Sequence, residues 1–287
     1  PEEQDIIDGL VSSFRRSEKL QIHTRFLYSV GSIYRRHNGN LLYHGCIPCD
    51  GNGEFMEFSL YSDTPLKGRA FLDWADRLAR QGYFAPDGSM ERLRGLDFLW
   101  FLWCGRNSPI CGRTKITTFE RALIEDKASY TEPKNPYYVY YGSEEFCRRI
   151  LDDFDLHKPW SRIINGHMPV KVKEGEDPRK GGGRLVVIDG GFCKAYHKQT
   201  GIAGYTMFFS SHGMRIAAHE PFTTREEAIH GKKDITSHSF IVENLPRRLM
   251  ISDTDAGEGI KRRIEDLNAL LDAYRSGTIK TDSTGRI

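Results

Sequence analysis

The chain has 287 residues, 39% apolar and 28% charged, an ordinary soluble composition with room for one large domain or two small ones. With 41 basic against 39 acidic residues its formal charge is +2, which excludes a global pull toward nucleic acid or a membrane surface and leaves any anion preference to local groups. Six cysteines without a signal-like start point to a reduced, cytoplasmic protein, and the longest apolar run, Phe98 to Cys104, is too short to cross a bilayer. The chain opens Pro1-Glu2-Glu3-Gln4 without methionine, which suggests a truncated or cleaved product. From residue 1 to about residue 37 the spacing predicts core-facing helix, with Ile6, Ile7, Leu10, Val11 and Phe14, then Phe26, Leu27, Val30, Ile33 and Tyr34, at helical intervals. A short apolar strand, Leu41-Leu42-Tyr43, then breaks at His44-Gly45. A histidine at such a strand end faces the crevice where ligands bind in open α/β sheets, and imidazole is a neutral ligand suited to manganese, iron or zinc. Cys46-Ile47-Pro48-Cys49 is a lone C-x-x-C without a second pair at zinc-ribbon spacing. Glu54 to Phe58 reads as a further short strand.

Beyond it the chain reads as mainly helical, at Gly68 to Gln81, Arg92 to Cys104, Phe119 to Asp126 and Glu144 to Phe154. An insertion that returns to the same site is usually a cap, and its candidates for contact with an acidic substrate are Arg106, in a polar loop, and Arg121. Arg162-Ile163-Ile164-Asn165-Gly166-His167-Met168-Pro169 repeats the strand-then-histidine grammar. Lys171 and Lys173 alternate with Val170 and Val172, so an extended segment would put both ammonium groups on one face, a cationic seat suited to a phosphate group. Lys180-Gly181-Gly182-Gly183-Arg184 lacks the Lys-Ser/Thr ending of a P-loop and reads as a hairpin turn. Arg184 to Asp189 and Thr206 to Phe209 read as strands. Asp253-Thr254-Asp255 caps a final helix, Gly257 to Ser276, whose stripe of Ile260, Ile264, Leu267, Leu271 and Tyr274 is expected to pack on the body.

His44-Gly45-Cys46-Ile47-Pro48 is similar to the His-Gly-Gly-Ile/Leu-Ser stretch of Ser/Thr protein phosphatases, and Asn165-Gly166-His167 to their Arg-Gly-His. A fuller likeness covers nearly the whole chain. Leu42 to Pro48, Ser108-Pro109 with Gly112, Thr117 to Arg121, Lys134 to Tyr138, Ile164 to Lys173, Val187 to Phe192, Thr200 to Thr206, and Asp253 to Asp255 with Gly257 together resemble the class III fructose-1,6-bisphosphatases of Firmicutes and Bacteroidetes. Those enzymes belong to the calcineurin-like metallophosphoesterases. The resemblance implies an α/β fold, a β-sandwich flanked by helices with a largely helical insertion, in which His44 and His167 are ligands of the second metal. It also implies a dinuclear manganese site, with magnesium or iron as alternatives, and hydrolysis of the 1-phosphate of fructose 1,6-bisphosphate in gluconeogenesis. Regulation by small phosphorylated metabolites and assembly as a homo-oligomer follow from the same likeness, with no nucleic acid or membrane partner.

The chain departs from that pattern at Arg179-Lys180-Gly181-Gly182, where the class III enzymes usually carry Ile-Lys-Ala-Asn-Gly. It also lacks the Asp-x-His, Gly-Asp-x-x-Asp-Arg-Gly and Gly-Asn-His-Asp/Glu motifs in proper context, since Asp155-Leu156-His157 and Gly51-Asn52-Gly53-Glu54 only imitate two of them. The expectation is therefore a C-terminal part, with the first metal's ligands and the general acid on a missing N-terminal part. Its expected divisions are residues 1–58, a helical segment and the strand carrying the first histidine; 59–158, the helical insertion; 159–250, the second half of the sheet with the second histidine; and 251–287, the final helix and tail. The alternatives are another calcineurin-like metallophosphoesterase, or an inactive fragment that binds phosphometabolites.

Overall fold

The computed structural model describes residues 2–222, 224–231 and 237–280. In chain order the elements are α1 (Glu2–Arg16), α2 (Glu18–Val30), β1 (Tyr34–His37), β2 (Asn40–Tyr43), α3 (Gly68–Phe84), α4 (Met90–Cys104), α5 (Thr118–Leu123), α6 (Tyr137–Tyr140), α7 (Glu144–Asp153), β3 (Ile163–Asn165), β4 (Arg179–Lys180), β5 (Leu185–Val187), α8 (His197–Thr200), β6 (Tyr205–Ser210), β7 (Gly213–His219), α9 (Arg225–His230), β8 (Ser237–Asn244) and α10 (Asp255–Arg275). The class is mixed α/β, as expected. Two units divide the chain, Pro1–Arg35 with Tyr43–Phe154, and Arg36–Leu42 with Asp155–Ile287.

The first unit is mainly helical. Phe71, Leu72, Ala75, Leu78 and Ala79 recur at helical intervals along α3 and are buried, so this face supplies the unit's core. Phe58 stacks on Phe71 with ring centroids 3.9 Å apart, and Trp74 meets Phe98 of α4 edge-on at 5.1 Å. The Ser89 and Ser143 side chains cap α4 and α7 by accepting from Arg92 N–H and Phe146 N–H. Fully buried residues of α7, Cys147 and Ile150, pack in the same unit. At the end of α2, Arg80 binds the carbonyls of Tyr28 and Gly31 and pairs with Asp76 at 2.7 Å, satisfying acceptors that a helix terminus leaves open.

The second unit is built on a five-stranded sheet of order β1-β2-β3-β5-β4. Leu41 N–H donates to Arg162 O at 2.9 Å beside β3, β3 pairs β5 in parallel with Ile163 opposite Leu185, and β4 returns antiparallel on β5. The β4–β5 hairpin turns through Gly181, Gly182 and Gly183, all at positive φ, which accounts for the glycine run without invoking phosphate. A separate antiparallel sheet orders β6-β7-β8. Arg162, at the mouth of β3, and Glu243, on β8, form a nearly buried ion pair at 2.5 Å that ties the two sheets together.

Several sequence expectations are corrected. The helical reading to residue 37 holds only as far as Val30, and Tyr34–His37 is a strand. Nor do the apolar stripes of α1 and α2 face a core, because neither helix buries a residue. The stripe of α10 is likewise exposed, with Gly257 the only buried residue of that helix. Periodicity identifies an amphipathic helix without saying what covers it. Glu54 to Phe58 forms only isolated bridges, Cys49 with Phe55 and Phe58 with Leu66. Of the expected segment 251–287, residues 281–287 lie outside those described.

Candidate functional site

His44 is exposed and follows directly on β2, as the apolar run predicts. The segment behind it is buried and tightly fastened. Tyr43 and Tyr137 share a hydrogen bond between hydroxyls 2.7 Å apart, and burial pushes both phenols well above their ordinary range, so they stay protonated. Cys46 N–H donates to Pro109 O at 2.8 Å, and Cys49 N–H to Asn135 Oδ1 at 3.2 Å. Gly45 is obligatory, since a Cβ there would lie 2.1 Å from Pro109 O and 2.8 Å from Ile110 O, both backbone atoms. Burial pushes the Cys46 thiol far up and the Cys49 thiol to about 12, so neither is a thiolate at neutral pH.

Asn135, 2% exposed, is the hub that residue spacing did not single out. Its Oδ1 accepts from Cys49 N–H and, at 3.0 Å, from Tyr137 N–H, while its Nδ2 donates to Asn107 Oδ1 at 3.4 Å. The signals in the sequence are the Asn-Pro pair, which marks a turn, and the place of Asn135 in the block Lys134 to Tyr138.

Arg106 is exposed and makes no hydrogen bond or ion pair among the described residues. Arg121 is differently employed. Its Nε donates to Thr117 Oγ1 at 3.0 Å, its Nη2 to Tyr130 O at 3.1 Å, and its guanidinium lies over the Tyr130 ring. The same knot holds Glu132, which accepts from Thr117 N–H at 2.8 Å and Thr117 Oγ1 at 2.7 Å and pairs with Arg113. Burial pushes the Glu132 carboxyl up, but the Thr117 hydrogen bonds and the Arg113 charge outweigh it, and the group titrates below the ordinary 4.5. A depressed folded value stabilises the protein above the unfolded pKa and is lost as pH falls through the folded value. Glu132→Gln is therefore expected to lower stability at pH 7 and to flatten its decline below pH 4.5, read by urea unfolding across pH; a decline as steep as in the wild type would refute this role.

His167 lies in the second unit, two residues beyond β3, at a left-handed φ of +66°. Val170 N–H donates to Asp189 O at 2.9 Å, which lays this loop along the exit of β5. Asp189 closes its own turn, its Oδ1 accepting from Gly191 N–H at 2.9 Å. The extended reading of residues 170–173 is corrected, because Val172–Glu174 is a 3-10 turn in which Glu174 N–H donates to Lys171 O and Gly175 ends the turn at φ +81°. Strand alternation therefore does not align the two lysines. Lys171 Nζ pairs with Glu174 at 3.0 Å, whereas Lys173 lays its stem along Gly201 and donates to Lys198 O at 3.2 Å. The candidates thus sort by unit, His44, Arg106 and Arg121 in one, His167, Lys171 and Lys173 in the other.

As donors the two imidazoles suit a transition metal in kind. They do not complete a ligand set, since among the described residues no group of three or more His, Cys, Asp or Glu is arranged to hold an ion. Among the same residues no helix is long and apolar enough to cross a membrane.

Residues 1–276 match the family model described as Firmicute fructose-1,6-bisphosphatase. The proteins named fructose-1,6-bisphosphatase class 3 from Clostridium botulinum strains 657 and Langeland are each 50% identical over 285 residues, 99% of this chain and 42% of the relative. That from Clostridioides difficile strain 630 is 48% identical over 279 residues, 97% of this chain and again 42% of the relative. The chain thus spans about two fifths of the length of the curated relatives it matches, a share that does not itself place it at their C-terminal end. No solved structure matches it.

Proposed function

The chain belongs to the Firmicute fructose-1,6-bisphosphatase family, and from that premise we propose that the protein hydrolyses the 1-phosphate of fructose 1,6-bisphosphate, giving fructose 6-phosphate and phosphate. The observation that carries this reading is 50% identity sustained over 99% of the chain. The calcineurin-like β-sandwich, a cytoplasmic location, a place in gluconeogenesis and control by phosphorylated metabolites belong to the same proposal.

In this reading His44 and His167 are metal ligands, with manganese the usual ion and magnesium or iron the alternatives. Both histidines stand just beyond strand ends, which supports the assignment. The reading then requires further ligands and a general acid from outside the described residues, among which no group of three or more His, Cys, Asp or Glu is arranged to hold an ion. When bound, the metal supplies Lewis-acid stabilisation of charge on the phosphoryl oxygens. The chain's own cations orient the substrate's other phosphate. Lys173 suits that role better than Lys171, because Lys171 is already neutralised by Glu174 while Lys173 makes no ion pair among the described residues. Arg106 likewise makes no ion pair among the described residues, whereas Arg121 is committed to Thr117 and Tyr130.

Lys173→Ala is expected to raise KM for the bisphosphate about tenfold, the worth of one charge-assisted hydrogen bond, and to leave KM for p-nitrophenyl phosphate nearly unchanged. Equal effects on both substrates would remove Lys173 from the second-phosphate seat. The reading as a whole is tested by manganese-dependent turnover of fructose 1,6-bisphosphate with enzymatic detection of fructose 6-phosphate. A metal-loaded protein that cleaves p-nitrophenyl phosphate but not the bisphosphate would favour another metallophosphoesterase instead.

A further inference from the structure

α1 carries Ile6, Ile7, Leu10, Val11 and Phe14 on one helical stripe, each between 43% and 67% exposed, and none of the helix's residues is buried. A helix of this length is marginal in water unless its apolar face is packed. Its charges are sorted along its axis, with Glu2, Glu3, Asp5 and Asp8 in the first half and Arg15 and Arg16 in the last turn. Asp8 and Arg15 are two helical turns apart and flank the same edge of the stripe. Laid antiparallel on a second copy about a two-fold axis, each acidic half meets a basic half and each Asp8 faces the other copy's Arg15. Laid parallel, like charges meet. The exposed stripe of α10, by contrast, has Lys261, Arg262, Arg263, Glu265 and Asp266 interspersed and sets no orientation.

We propose that α1 is an isologous, antiparallel interface through which two copies of this chain pair. The stripes bury one another around Leu10, and the sorted charges fix the orientation.

Light scattering coupled to size exclusion tests this on the chain itself at tens of micromolar. The wild type is expected to be a dimer, and Leu10→Asp, on a helix that buries nothing of its own, a folded monomer. Reversing Arg15 and Arg16 to Asp should weaken the dimer by at least about tenfold, and adding Asp5→Arg and Asp8→Arg should restore it. A wild-type monomer would overturn the proposal. So would a dimer indifferent to Leu10→Asp, or a charge reversal that the compensating pair does not rescue.

Discussion

His167→Ala is expected to lower kcat/KM for fructose 1,6-bisphosphate by about 10²- to 10³-fold, and manganese content with it, because metal stabilisation of phosphoryl charge is worth several kcal/mol and each 1.4 kcal/mol is roughly tenfold in rate. His44→Ala should behave alike. The two positions differ in backbone, which supplies a control. His167 sits at φ +66°, where alanine is strained but asparagine is tolerated. His167→Asn should therefore keep the thermal stability of the wild type while losing activity and metal as fully as His167→Ala. If His167→Asn is active and metal-replete, the imidazole is structural and the ligand assignment fails.

Gly45→Ala is expected to carry a large cost in stability. The added methyl carbon has to displace Pro109 O, 2.1 Å away, and Ile110 O, and neither is the end of a flexible side chain. Overpacking of this kind costs roughly 3 kcal/mol or more. The displaced strand-end loop carries His44, so activity should fall beyond what the remaining folded fraction explains. Urea unfolding and active-site titration read the two effects separately. A variant within about 0.5 kcal/mol of the wild type would mean that the 105–112 segment yields easily and does not hold His44.

Much of the first unit is legible in the sequence for a physical reason. Phe71, Leu72, Ala75, Leu78 and Ala79 bury one face of one helix, and such a face prints its period on the chain. The strand before His44 is readable for the same reason, since Leu41 and Tyr43 are buried. Tyr34-Arg35-Arg36-His37 prints nothing, because it is an exposed edge strand held by backbone hydrogen bonds. β7 and β8 escape notice as well, since β8 is mostly exposed and a bulge at Met214/Arg215 breaks the alternation. At the site, the histidines are visible and their support is not. Asn135 steadies the His44 loop through the N–H of Cys49, 86 positions away in sequence, and a side chain that binds backbone leaves no pattern in the partner's residue type. The lysine alternation misled because the same letters serve a strand and a turn, and the turn is decided by Gly175 at φ +81° and the Lys171–Glu174 pair.

The most direct test of the central claim is electron spin-echo modulation of manganese in the protein that turns over fructose 1,6-bisphosphate, comparing the wild type with His44→Gln and His167→Asn. If both imidazoles are ligands, the wild-type spectrum carries imidazole nitrogen couplings to manganese and each variant loses part of them. Spectra unchanged by either substitution would contradict the account.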